Sequence, residues 1–185
     1  MALICLLQTI APTQAEPVNY AVDPKHTYAS FEIDHLGFST ARGTFDRTSG
    51  TIVLDPAAGT GRIEIIIDTA SIDTGLEKRD EHLRAREFFD VEQHPTMTFV
   101  STALRFDGER PVFAAGELTL LGKALPVSLE ITRFACGDHP IHHKPACGAD
   151  ALTRILRSEW GMTKYVPAIG DEVNIRIGVE AFRLP

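Results

Sequence analysis

The run Glu172-Val173-Asn174-Ile175-Arg176-Ile177-Gly178-Val179-Glu180-Ala181-Phe182 carries the clearest structural signal in the chain. Val173, Ile175, Ile177 and Val179 alternate with Asn174, Arg176 and Gly178. Successive side chains of a strand point to opposite faces, so the alternation describes a half-buried β-strand from Glu172 to Phe182. Working back from it, the same period predicts strands over Thr96 to Phe106, Val112 to Leu121, Ala124 to Phe134 and Asp150 to Trp160. Further back come Val18 to Asp23, Thr27 to Phe38, Ala41 to Arg47, Gly50 to Asp55 and Gly61 to Asp68, separated by Asp-Pro, Gly or Ser-Gly turn material. The class is all-β. So many antiparallel strands must pair into a sandwich or close on themselves, because long open edges invite aggregation. Sequential hairpins and strands of about ten residues suit the tilted strands of a barrel better.

One segment breaks the pattern. From Thr74 to Asp90, Leu76, Leu83 and Phe88 sit among Glu77, Lys78, Arg79, Asp80, Glu81, Arg84, Arg86 and Glu87. This charge density at i,i+4 spacing predicts a helix of two to four turns, with Thr74 capping its start, Glu77 completing a capping box and Pro95 beyond its end. The Gly-, Pro- and His-rich stretch from Cys136 to Gly148 reads as a long loop.

With 185 residues the chain holds one domain, and 44% hydrophobic against 23% charged residues places it among ordinary folded proteins rather than disordered ones. The net charge of −7, with basic residues scattered among acids, argues against a nucleic-acid partner. Met1 to Ile10 are mostly apolar, and Thr13-Gln14-Ala15 precede Glu16-Pro17. That pattern fits a signal peptide over residues 1–15, a mature domain over residues 16–185 and export to the periplasm. Removal of Cys5 would leave Cys136 and Cys147 as an even pair, for which a disulfide is the default in an oxidising compartment. The same segment holds His139, His142 and His143, so a metal site built from these imidazoles and two free thiolates is the competing reading.

No Gly-rich phosphate cradle, nucleophile elbow or zinc-protease helix motif is present, and no enzymatic activity is expected. Asp34 and His35 are adjacent on a strand and point to opposite faces, so with His26 they read as structural groups rather than a dyad. On a helical wheel Arg79, His82 and Leu83 share a face that either holds a polar head group or is simply solvated. Phe31, Ile33, Phe45, Ile63, Ile65, Ile67, Phe99, Leu118, Leu120, Val127, Leu129 and Val173 fill a core or wall a ligand cavity, and pattern alone leaves both open.

The run from His26 to Phe38 (His-Thr-Tyr-Ala-Ser-Phe-Glu-Ile-Asp-His-Leu-Gly-Phe), then Gly43-Thr44-Phe45, Ser71-Ile72-Asp73-Thr74, Arg79-Asp80-Glu81-His82-Leu83 and Phe88-Phe89-Asp90, resembles the YceI-like family. Pro95 to Ser101, Gly116 to Gly122, Cys147 to Ala151 and Arg157 to Met162 continue the likeness in the same order across the mature chain. The resemblance implies a lipocalin-like, eight-stranded antiparallel barrel with one inserted short helix, exported to the periplasm. It further implies a polyisoprenoid or similar amphiphilic lipid held inside the barrel, and no catalytic residues or cofactor. Trp160 stands where the family usually has Phe or Tyr, which is expected to alter cavity shape. On this reading Phe31, Phe45, Phe99, Leu118 and Trp160 line the interior, while His35, Arg79 or His82 meets the head group at the mouth. The expected partner is an isoprenoid or quinone-like lipid, with transient membrane or membrane-protein contact and room for a homodimer. The competing functions are a periplasmic metal binder using the Cys136–Cys147 loop and a hydrolase or isomerase acting on a bound lipid.

Overall fold

The computed structural model describes residues 16–185. The expected signal peptide, residues 1–15, lies outside the described residues. Among the described residues eleven strands follow one another in chain order: β1 (Val18–Val22), β2 (Tyr28–His35), β3 (Ser39–Phe45), β4 (Thr48–Asp55), β5 (Thr60–Asp68) and β6 (Ile72–Asp73), then after helix α1 (Glu77–Arg84), β7 (Thr96–Asp107), β8 (Arg110–Leu120), β9 (Lys123–Asp138), β10 (Pro145–Leu156) and β11 (Ile169–Arg183). Every pairing is antiparallel. The order β1-β4-β5-β7-β8-β9-β10-β11, closed by β1 against β11, is a ring of eight. Closure removes the exposed edges that an open sheet of this size would carry.

Two members of the ring are broken strands. The single edge of β11 serves β2 over Ile169 to Gly178 and β1 over Ala181 to Arg183, so β1 and β2 form one wall interrupted at residues 23–27. Likewise β3 pairs with β2 and β4 with β1, interrupted at Asp46-Arg47. At Thr44 and Phe45, the end of β3 away from the β2–β3 hairpin, β3 meets the two residues of β6, and the segment through α1 then leads to β7. Thr69 N donates to the Pro95 carbonyl (3.0 Å) and Asp46 N to the Ser71 carbonyl (3.1 Å), which ties both ends of this insertion to the wall.

The structure corrects three details of the sequence reading. The helix is two turns, shorter than Thr74 to Asp90, and Thr74 does not cap it: Leu76 is the N-cap residue and makes no side-chain cap bond. The Thr74 hydroxyl lies 2.5 Å from the Asp80 carboxylate instead, and that buried carboxylate also accepts from Thr74 N (3.0 Å). Cys136 to Gly148 is not a long loop, because β9 runs on to Asp138 and β10 starts at Pro145, leaving a tight hairpin. Cys136 and Cys147 are register partners across it and form a disulfide. The strand placed over Asp150 to Trp160 therefore begins earlier, and it ends at Leu156 in a 3-10 turn over Arg157–Trp160.

Candidate functional site

The inward faces of the ring enclose a cavity of about 400 Å³, within the range of small-molecule sites. Its wall follows from the alternation that marked β11: Val173, Ile175, Ile177, Val179 and Ala181 all line it, while the residues between them do not. The neighbouring strands contribute in the same way, with Ile63, Ile65 and Ile67 from β5 and Leu118 and Leu120 from β8. Nearly all of the lining surface is carbon. The lining runs along β11 from Ile169 to Ala181, and twelve steps at about 3.3 Å per residue make roughly 40 Å of strand path. Strands tilted by about 40° carry that path roughly 30 Å along the barrel axis. The space is therefore long and narrow, a shape that suits an extended chain.

Aromatic rings reach this space because glycines opposite them leave room. A Cβ on Gly43 would lie 2.5 Å from Phe31 Cζ, and one on Gly116 would lie 2.6 Å from Phe99 Cζ and 2.5 Å from the Val100 carbonyl oxygen. Phe31 in turn sits 6.0 Å from Phe45 between ring centroids, and Phe45 meets the edge of Phe89 at 5.3 Å. Phe31, Phe45, Phe99 and Leu118 all line the cavity. Trp160 does not: it is buried in the surrounding core, and its indole N–H donates to the Leu118 carbonyl (3.2 Å). That bond ties the 3-10 turn to β8.

His35, Arg79 and His82 line the cavity at one end, together with Tyr165 and Ile169. Arg79, His82 and Leu83 do share one face of α1, and that face turns toward the lumen. The Arg79 guanidinium is held by Thr74, donating to its hydroxyl and to its carbonyl at 2.6 Å each. His82 packs edge-on against Phe88 (5.0 Å) and Tyr165 (6.2 Å), with Glu87 3.8 Å from its Nε2. Lys164 closes the same rim from the other side through an ion pair with Glu87 at 2.5 Å. That contact holds the Glu87 carboxyl below its usual pKa and the Lys164 ammonium above its own.

The rim loop after the 3-10 turn depends on Arg157, a buried residue that the sequence reading did not single out as a site residue. Its guanidinium donates to the carbonyls of Gly170 (2.8 Å), Met162 (2.8 Å), Lys164 (2.9 Å) and Ile169 (3.1 Å). Burial pulls its pKa below the ordinary guanidinium value, and the charge of Asp171 opposes that shift. Tyr165 was missed as well. It meets His82 only through long-range folding, and no local motif marks it.

His26 and Asp34 lie away from any dyad. His26 Nδ1 is 2.7 Å from Asp23 Oδ2, and Asp34 accepts from Gly37 N (2.9 Å) in the β2–β3 turn. The metal reading of the His-rich hairpin needed two free thiols, and the Cys136–Cys147 disulfide takes both.

A closed antiparallel barrel around an elongated apolar cavity, with His35, Arg79 and His82 together at one rim, is a lipocalin-like binding barrel. The chain belongs to the YceI-like family, whose domain matches residues 20–181. It is 36% identical to the UPF0312 protein Ent638_1570 of Enterobacter sp. (strain 638), over 97% of this chain and 93% of that protein. Among solved structures it is similar to the Campylobacter jejuni YCEI protein (27% identity, TM-score 0.69), covering 83% of this chain and 91% of that one. A polyisoprenoid binding domain from Saccharophagus degradans, implicated in plant cell wall breakdown, has the same fold at 14% identity (TM-score 0.62, 89% of this chain, 98% of that one).

Proposed function

We propose that this protein binds a polyisoprenoid or similar amphiphilic lipid, with the chain in the lumen and the head group at the His35, Arg79 and His82 rim, and carries it through the periplasm without chemical turnover. The observation that carries this reading is the continuous apolar lining from that rim to Ala181 at the far end of β11. Burying roughly ten chain carbons at about 0.8 kcal/mol each contributes about 8 kcal/mol. This equals the free energy of micromolar binding, before the cost of ordering the chain is subtracted. Hydrophobic burial alone is therefore of the right size, and longer chains leave a margin. The polyisoprenoid ligand of the Saccharophagus degradans domain, which shares this architecture, supports the same class of occupant. Export is supported by the apolar run at the N-terminus and by the disulfide, a bond that forms and persists mainly in oxidising compartments.

The test is to purify the protein from its native host, extract it with organic solvent and identify the released molecules by mass spectrometry. The expected result is a long-chain lipid at close to one per protein chain. Recovery of no lipid, from protein that remains folded by circular dichroism, would overturn the proposal.

A further inference from the structure

We infer a divalent transition-metal site on the outer wall of the barrel, formed by Asp23, His26 and Glu180. One ligand atom from each lies within 4.8 Å of the other two. The position is specific. Between Gly178, which pairs with Tyr28, and Ala181, which pairs with Val22, the edge of β11 changes partner, and residues 23–27 cross the gap. Glu180 stands at that change of partner. Val179 and Ala181 on either side of it line the lumen and Glu180 does not, so the site and the lipid cavity are on opposite faces of the wall.

Backbone contacts bring Asp23 and Glu180 together. The Glu180 carbonyl accepts from Asp23 N (2.8 Å) and from the buried Thr27 hydroxyl (3.2 Å), and Glu180 N donates back to Thr27 Oγ1 (3.1 Å). Lys25 N donates to Asp23 Oδ1 (3.0 Å), which orients the carboxylate and leaves Oδ2 facing His26 Nδ1 at 2.7 Å. The Asp23 side chain is only 11% exposed, whereas His26 is 51% exposed, so the cluster is anchored on one side and open to water on the other.

His139 supplies an outer contact. Its Nδ1 accepts from the backbone N–H groups of Ile141 and His142 (3.2 Å each), which leaves the ring proton on Nε2, 4.0 Å from Glu180 Oε2. In that tautomer the Nε2–H group faces the Glu180 carboxylate from beyond hydrogen-bond distance, so His139 is a neighbour of the site and not a ligand. The His139 ring is itself held against His142 (4.8 Å) and Phe182 (5.4 Å), on a hairpin pinned by the disulfide.

One imidazole with two carboxylates suits Zn²⁺, whose bonds to such ligands are about 2.0–2.2 Å and which accepts three protein ligands with water in the fourth position. Donor atoms in that geometry stand roughly 3.4 Å apart. Closing from the observed spacing to that geometry requires side-chain rotation of Asp23 and Glu180. The ion takes the place of the proton shared by Asp23 and His26, and that proton leaves to solvent. Two carboxylates and a neutral imidazole balance the charge of the ion, and the bound metal joins the β1–β2 crossing to β11.

The full-length mature protein, stripped of metal with a chelator, would be titrated with ZnCl₂ by calorimetry and followed by thermal unfolding. The expected result is one ion per chain and a melting temperature that rises with Zn²⁺ concentration. His26→Ala and Glu180→Gln should each weaken binding by more than about tenfold, because even outer partners of metal ligands are worth 10–100-fold. A His143→Ala variant should bind as the parent does. Absence of saturable binding would overturn the inference. So would binding that survives His26→Ala and Glu180→Gln but is lost in the His143→Ala variant, which would assign the ion to the exposed hairpin. Lipid content of the protein bears on neither result.

Discussion

Lys164 and Glu87 meet across the rim of the barrel, Nζ to Oε1 at 2.5 Å, and join the loop after the 3-10 turn to the segment that follows α1. Both are substantially exposed, at 38% and 52%, so the pair adds little to folding stability. Its effect is expected in exchange. Lys164→Ala should speed release of a fluorescent long-chain probe from the lumen while leaving the melting temperature nearly unchanged, measured by stopped-flow fluorescence beside a thermal scan. An unchanged release rate would show that the rim does not limit exit.

The same pair sets a pH window. Lys164 holds the Glu87 pKa below its ordinary value, so that carboxylate's contribution is present above the usual Glu range and is lost as pH falls through the lowered pKa. Glu87 raises the Lys164 pKa, so the ammonium's contribution is full below the ordinary Lys value and is lost as pH rises through the raised one. Through this pair, probe release should accelerate as pH falls through the lowered Glu87 pKa and as pH rises through the raised Lys164 pKa. Glu87→Gln should abolish the acid-side acceleration.

Arg157 serves four carbonyls from a position only 3% exposed. Arg157→Met would leave all four without that donor and should cost on the order of 3–5 kcal/mol, read from urea unfolding. Arg157→Lys should recover only part of this, since three ammonium hydrogens on one atom cannot reach a spread of four acceptors.

The Cys136–Cys147 bridge closes a short ring, with a sequence separation of 11. Replacing both residues by Ser should lower unfolding free energy by about 3 kcal/mol on the chain-entropy account. The parent treated with dithiothreitol should show the same fall in denaturation midpoint, and the Ser variant should not respond to the reductant.

Thr48 is 4% exposed, and its hydroxyl finds no hydrogen-bond partner among the described residues. A buried hydroxyl without a partner carries a desolvation cost and no compensating bond. Thr48→Val keeps the shape and removes the polar atom, so it should be neutral or stabilising by about 1 kcal/mol in the same urea assay. A clear loss of stability would mean that the hydroxyl has a partner in solution.

The strands were legible because each has a wet side and a dry side. Val173, Ile175, Ile177 and Val179 announce their common face without any knowledge of what lies opposite. The hairpin from Cys136 to Gly148 was misread for the converse reason. Gly137, Gly148 and Pro145 carry little strand propensity, and only the register of β9 against β10 and the disulfide hold them extended. Of the site, the lumen-facing phenylalanines were readable from periodicity and family likeness. Trp160 was assigned to the lumen through the family likeness, yet the turn that carries it lies beyond the end of β10, and its indole N–H bonds the Leu118 carbonyl. Tyr165 and Arg157 act through contacts that exist only once the rim loop is folded, and nothing local encodes them. Asp23, His26 and Glu180 likewise come from opposite ends of the chain.

The hollow along the axis means that the occupant completes the interior of its host. Side chains such as Ile175 and Val127 face that hollow, and without a guest they lack van der Waals neighbours on that side. Water is a poor substitute for them. On the function proposed above, a loaded barrel should therefore surrender its lipid only to a destination offering comparable hydrocarbon shelter, such as a bilayer or another greasy cleft.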